Sequence, residues 1–238
     1  MLAGNIVQVR LERKALSAAV SPTCCSGREQ RSKTAHAGSA IPMKTSLRRD
    51  LRGARRAMSA AEHRRRSMLA ALAVARLPMF AAGKRIAVYL PFDHETDTSA
   101  LLRAARRRRI NVFVPVVVDR RRRVMRFYPL VGKLRRGAYG ISVPQLMRHP
   151  IAPRWLDLIV VPLVGIDAIG RRLGMGGGFY DRALSFRRHM RLKLGPHLVG
   201  LAFDLQRTRE SFAEPWDLRL DSVATESGLQ RMTANIDS

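Results

Sequence analysis

Asp167-Ala168-Ile169-Gly170-Arg171-Arg172-Leu173-Gly174-Met175-Gly176-Gly177-Gly178-Phe179-Tyr180-Asp181-Arg182 places four glycines in five positions beside fixed cations and an acid. Glycine tolerates φ > 0, so successive residues of such a run can aim their backbone N–H groups at one point and cradle an anion. Upstream, Leu156-Asp157-Leu158-Ile159-Val160-Val161 is an apolar, β-branched run of the kind that forms a buried strand, and Tyr180 to Met190 can be helical. Strand, glycine loop and helix start, in that order, predict a phosphate held at a helix N-terminus. The alternative is a flexible glycine loop with no ligand, against which Arg172 and Asp181 argue.

Two familiar phosphate loops are excluded by spacing. A P-loop requires Gly-x-x-x-x-Gly-Lys-Ser/Thr, whereas Phe179 and Tyr180 follow Gly178. A dinucleotide fingerprint opened at Gly174-x-Gly176 would need its third glycine at position 179, which is phenylalanine.

Working outward, the pattern is that of an α/β chain. Residues 45 to 57 predict a basic helix, and Ser59-Ala60-Ala61-Glu62 a capping box that opens a second. Lys84 to Leu90 predict a strand, Thr98 to Arg109 a helix, and Asn111 to Pro115 another strand. Val124 to Phe127, Leu156 to Val161, His197 to Phe203 and Ser222 to Thr225 supply further strands. Strands alternating with helices argue a mainly parallel sheet with helices on both faces, in a single domain. The first 42 residues lack sustained periodicity and carry breakers at Ser21-Pro22 and Gly27. They are expected to be a disordered basic extension, a transit-like segment, or the product of a start assigned upstream of Met43.

The 238 residues suffice for one sizeable core, and 46% of them are apolar. Cys24 and Cys25 are adjacent and cannot staple distant segments, which favours a reducing, cytoplasmic setting. The six histidines show no paired ligand spacing, which argues against a tightly held transition metal. A net charge of +26 raises the alternative of a polyanion partner. Against it, aromatics are only 6%, leaving little stacking surface for single strands, and no zinc-finger or RNA-recognition signature occurs. Runs such as Arg106 to Arg109 and Arg120 to Arg123 read as solvated basic faces at a helix end and in a turn. No specific nucleic-acid or membrane partner is expected.

Gly170-x-Arg172-Leu173-Gly174-x-Gly176-Gly177-Gly178-Phe179-Tyr180-Asp181-Arg182 closely resembles the signature loop of the 5-formyltetrahydrofolate cyclo-ligase (5,10-methenyltetrahydrofolate synthetase) family. Lys44-Thr45-Ser46-Leu47-Arg48 is similar to that family's N-terminal helix start, Glu95-Thr96-Asp97-Thr98 to its acidic turn, and Trp216-Asp217 with Asp221 to Glu226 to its C-terminal segment. The resemblance covers about residues 43 to 228. It implies an ATP-dependent ligase of one-carbon metabolism that converts 5-formyltetrahydrofolate to 5,10-methenyltetrahydrofolate with release of ADP and phosphate; a monomer is expected, though no residue pattern sets the oligomeric state. A cyclo-ligase-like protein acting on another substrate stands as the alternative.

The resemblance also assigns residues. Lys44, Thr45, Ser46, Leu47 and Arg48 would bind ATP, together with Arg172, Leu173, Gly174, Met175, Gly176, Gly177, Gly178, Phe179 and Tyr180. Arg48, Leu90, Glu95 and Met175 to Phe179 would border the folate, and Arg172 would stabilise charge on the moving phosphoryl group. Asp181 and Asp217 would be Mg²⁺ ligands, since that ion takes one or two carboxylates plus phosphate oxygens and water. On their residues alone, Asp181 reads as a charge at a helix N-terminus, and Lys44 and Arg48 as part of a solvated stripe continuing through Arg52 and Arg56; the resemblance reverses both readings. Met125 and Phe127 alternate in a strand and either cover the pterin or face the core. Trp216 either packs over the nucleotide or buries its ring.

Overall fold

The computed structural model describes residues 40–189, 195–209, 212 and 217–232. Helix α1 (Ala40–Arg56) opens the described chain and is followed by α2 (Ala60–Ala75), β1 (Arg85–Ala87), α3 (Ser99–Arg107), β2 (Asn111–Asp119) and β3 (Val124–Pro129). A small hairpin, β4 (Leu134–Arg136) and β5 (Ser142–Pro144), leads to β6 (Leu158–Pro162). A second hairpin, β7 (Gly165–Ile166) and β8 (Arg172–Leu173), precedes α4 (Phe179–Ala183). Then come β9 (His197–Leu201), β10 (Ser222–Thr225) and β11 (Gly228–Arg231). Among the described residues no helix is long and apolar enough to cross a membrane.

Seven strands form one sheet in the order β11-β10-β9-β6-β1-β2-β3. The five from β10 to β2 run parallel, and the edges β3 and β11 are antiparallel. Alternation sorts the core into two layers. Ile86, Val88, Leu158, Val160, Val199 and Leu201 pack against α2 and α3, while Ala87, Ile159, Val161, Leu198 and Val223 face Leu184 and the Tyr180–Phe186 segment on the other side. Burial on both faces explains why β6 reads as an unbroken apolar run rather than an alternating one.

Local chemistry sets most boundaries. Ser59 caps α2 by accepting from the Glu62 N–H at 3.2 Å. Only half of the expected box forms, because the Glu62 carboxylate turns away to pair with Arg66, one helical turn on. β1 is shorter than expected: it ends at Ala87, the Val88 N–H makes a last bond to the Phe113 carbonyl of β2 at 2.9 Å, and Val88 and Tyr89 remain buried. The predicted helix from Tyr180 to Met190 is also cut short, since α4 ends at Ala183 and a 3-10 turn covers Ser185–His189. Position 190 lies outside the described residues, as do residues 1–39 of the 1–42 segment expected to be an extension, whereas residues 40–42 belong to α1. The hairpins β4/β5 and β7/β8 and the edge strand β11 carry no strong apolar alternation, so nothing in the sequence marks them as strands.

Candidate functional site

From β1 the chain moves to β2 and β3 on one side, then crosses back to lay β6 on the other flank of β1. The connections that leave the carboxyl ends of β1 and β6 therefore run to opposite sides of the sheet, which makes this the switch point where open parallel sheets place their ligands. A cleft of about 690 Å³ opens there, bordered by Tyr89 and Leu90 after β1, Pro115 and Val117 of β2, and Pro162 and Leu163 at the end of β6. Pro115 costs the sheet little, because β1 pairs with β2 only through Phe113.

The glycine run forms one wall. It emerges from the β7/β8 hairpin rather than directly from β6, so the expected order of strand, loop and helix is interrupted by a further pair of strands. Gly176 (φ 95°) and Gly178 (φ 67°) hold left-handed conformations that an L side chain would strain. Gly174 is needed for a different reason. A Cβ there would stand 2.9 Å from Nη1 of Arg172, whose guanidinium lies directly behind the loop. That guanidinium is 6% exposed, donates from Nη1 to the Pro162 carbonyl at 3.1 Å, and pairs through Nη2 with both Asp181 carboxylate oxygens at 3.2 Å. Because α4 is little more than one turn, the positive character of this wall comes from Arg172 and its neighbours rather than from a helix dipole.

Helix α1 forms the opposite support. Arg48 Nε donates to the Gly174 carbonyl at 2.8 Å, and Lys44 Nζ pairs with Asp217 at 2.8 Å. Burial lowers the Arg48 pKa, with Asp217 opposing, but a guanidinium stays charged. Five cations, Lys44, Arg48, Arg123, Arg172 and Arg182, line the cleft against three carboxylates, Glu95, Asp181 and Asp217, so the cavity favours a polyanion.

Glu95 brings a different environment. Its Oε2 accepts the Phe92 N–H at 3.1 Å, yet desolvation outweighs that bond and the nearby Arg55 and Arg172 charges, raising its pKa to about 7. Burial likewise raises the Tyr89 and Tyr180 hydroxyls, so both remain neutral donors. The Tyr89 hydroxyl donates to the Thr96 carbonyl, whereas the buried Tyr180 hydroxyl has no hydrogen-bond partner among the described residues.

Of the residues singled out in the sequence, Lys44, Arg48, Leu90, Glu95, Arg172 to Asp181 and Asp217 gather around this one cleft. Thr45, Ser46 and Leu47 do not line it: Thr45 and Ser46 are exposed on α1, and Ser46 donates to Asp50 one turn on. The helix turns these residues away while presenting positions 44 and 48. Met125 lines the cleft, while Phe127 is fully buried in the core. Trp216 lies outside the described residues. Phe92, Arg123, Tyr139 and Ile141 are among the lining residues that sequence reading missed. Tyr139 (φ 58°) and Gly140 (φ 76°) are both left-handed and aim the tyrosine ring at Phe179, 6.1 Å between centroids. The Tyr-Gly pair was the one local signal available for that turn.

Asp181 and Asp217 supply hard oxygen donors facing the same cleft, a donor set that fits Mg²⁺ completed by phosphate oxygens and water. No group of three or more acidic, histidine or cysteine side chains forms a ready-made metal cage among the described residues.

Fold and cleft together define an α/β enzyme whose ligand cleft lies at the switch point of a parallel sheet. The chain belongs to the 5-formyltetrahydrofolate cyclo-ligase family, whose match spans residues 40–226. It is 34% identical over 180 residues to the 5-formyltetrahydrofolate cyclo-ligase of Escherichia coli K12, covering 74% of this chain and 97% of that one. The mouse protein of the same name is 27% identical over 191 residues, covering 77% and 93%. Among solved structures, the 5,10-methenyltetrahydrofolate synthetase of Aquifex aeolicus superposes with a TM-score of 0.69 at 29% identity, covering 82% of this chain and 96% of that one.

Proposed function

We propose that this chain closes 5-formyltetrahydrofolate to 5,10-methenyltetrahydrofolate at the expense of ATP. A formyl oxygen is a poor leaving group. Attack of that oxygen on the γ-phosphorus, with departure of ADP, makes it a good one. N10 then attacks the formyl carbon, the C–O bond breaks, phosphate leaves and N10 gives up its proton. Such a sequence asks the protein for positioning, cations and a dry cleft rather than for a covalent nucleophile.

The observation that carries this reading is that one cleft holds the glycine loop, tied to α1 by Arg48, and also the desolvated Glu95. Lys44, Arg48 and the backbone of Gly174 to Gly178 hold the nucleotide phosphates, and Arg172 behind Gly174 stabilises charge on the moving phosphoryl group. Ionised Glu95 accepts from the amino and ring N–H groups of the pterin, with Leu90 and Met125 against its faces. Asp181 and Asp217 would hold Mg²⁺, whose contribution when bound is to neutralise charge on the phosphate oxygens. Following the absorbance of the methenyl product with and without ATP tests the reading. Conversion should require both ATP and Mg²⁺, and its absence at every Mg²⁺ concentration would overturn it.

A further inference from the structure

The basic stripe of α1 does not end at the two residues that face the phosphate wall. Arg52, Arg55 and Arg56 continue it and converge on one carboxylate, Asp93. Arg52 donates to Asp93 Oδ2 from Nη2 at 2.7 Å and from Nε at 3.2 Å. Arg56 donates to Oδ1 from Nη2 at 2.5 Å and from Nε at 3.0 Å. Arg55, 2% exposed, donates to the Asp93 backbone carbonyl at 2.7 Å and stands 3.9 Å from Oδ2. Asp93 and His94 both sit at positive φ, 51° and 57°, conformations that non-glycine residues hold only when their surroundings impose them. The turn they form is the one that presents Glu95. From the other side, His63 Nε2 reaches the His94 and Glu95 carbonyls at 3.2 and 3.1 Å.

Resting on the folate role given to Glu95 above, we infer that Asp93 is a positioning residue: clamped by Arg52, Arg55 and Arg56, it fixes the turn that aims the Glu95 carboxylate into the cleft. The groups facing Glu95 are Arg55 from α1, Asp93 and the Phe92 N–H from its own turn, Arg172 from β8, and the Tyr89 and Tyr180 hydroxyls. Arg55 and Asp93 act on it with opposite sign, since Arg55 favours the ionised form and Asp93 the protonated one.

Two variants of the full chain, Asp93→Asn and Arg55→Met, test this. Asp93→Asn should raise KM for 5-formyltetrahydrofolate about tenfold or more while KM for ATP stays within about twofold, because only one half of the cleft is disturbed. Titration of the Glu95 carboxyl carbon by NMR, in protein without ligands, gives a readout independent of turnover. Its midpoint should fall by about half a unit in Asp93→Asn and rise by a similar amount in Arg55→Met. Should Arg55→Met fail to fold, Arg52→Gln with Arg56→Gln serves as the second variant and should reproduce the folate-specific rise in KM. Loss of thermal stability is expected in either case; a merely structural clamp would raise both KM values together and move the two midpoints in the same direction or not at all, and either of these results overturns the inference. Failure of the folate reading itself would instead show as absent turnover in the unmodified chain, with the opposed NMR shifts retained.

Discussion

Arg48 Nε and the Gly174 carbonyl, 126 residues apart in sequence, meet at 2.8 Å and join the first described helix to the glycine loop. The bond has charge on one side and partial burial on both, so it holds the loop where its N–H groups can converge.

Arg48→Met should therefore loosen the loop while sparing the sheet. A charge-assisted hydrogen bond is worth about 1.5–3 kcal/mol, so ATP affinity should drop on the order of 10–100-fold. Calorimetric titration with ATP, alongside a thermal midpoint close to that of the unmodified chain, checks it; undiminished ATP affinity removes Arg48 from the phosphate wall.

Gly178→Ala probes the backbone itself. At φ 67° a methyl group has open space, its nearest contact being Arg123 at 3.9 Å, so the penalty is conformational, about 1–2 kcal/mol. Gly177→Val differs because a Cβ there would meet the Phe179 ring at 2.8 Å. ATP binding should weaken in both, and in Gly177→Val the displaced Phe179 ring should also weaken folate binding. Equal folate affinity in both variants would contradict this.

Glu95 makes two opposite pH statements. With its pKa raised to about 7, it loses its acceptor as pH falls through that value, so kcat/KM for the folate should decline on the acid side. Stability runs the other way. The folded state binds the Glu95 proton more tightly than the unfolded chain, so between the unfolded value of 4.5 and about 7 the contribution to stability is lost as pH rises. Glu95→Gln should abolish the acid limb and gain roughly 1–3 kcal/mol relative to the unmodified chain above about pH 7. Denaturant unfolding on both sides of that pH gives the sign.

The two aspartates should separate by stability. Asp181→Asn leaves the Arg172 guanidinium, 6% exposed, without its ionic partner and should cost roughly 2–4 kcal/mol. Asp217→Asn removes the partner of Lys44, whose ammonium sits on a flexible stem that can swing toward water, and should cost less, about 1–2 kcal/mol. Both should raise the Mg²⁺ concentration needed for half-maximal turnover. An unchanged Mg²⁺ dependence in both variants would exclude them as ligands.

The central strands were legible because burial on both faces leaves no polar side chain at Leu158 to Val161 and Val199 to Leu201, with β-branched Ile159, Val160, Val161 and Val199 among them. Sheet edges and hairpins were not, because β4 and β11 are exposed and their pairing is set by neighbours distant in sequence. The glycine loop announced itself through residue types that few other contexts tolerate. The stripe on α1 was visible as spacing, yet nothing local could show that Arg52 and Arg56 end on Asp93, 41 and 37 residues away, rather than in solvent. Tyr139 was missed for a similar reason, since it reaches the cleft only through a left-handed turn and its contact with Phe179.

The ion pair between Lys44 and Asp217 spans 173 positions of sequence. During synthesis the N-terminal cations leave the ribosome long before their C-terminal acid, and closing so wide a loop is an entropic step that local structure cannot replace. A nascent or prematurely ended chain can present the glycine loop but not the finished cleft.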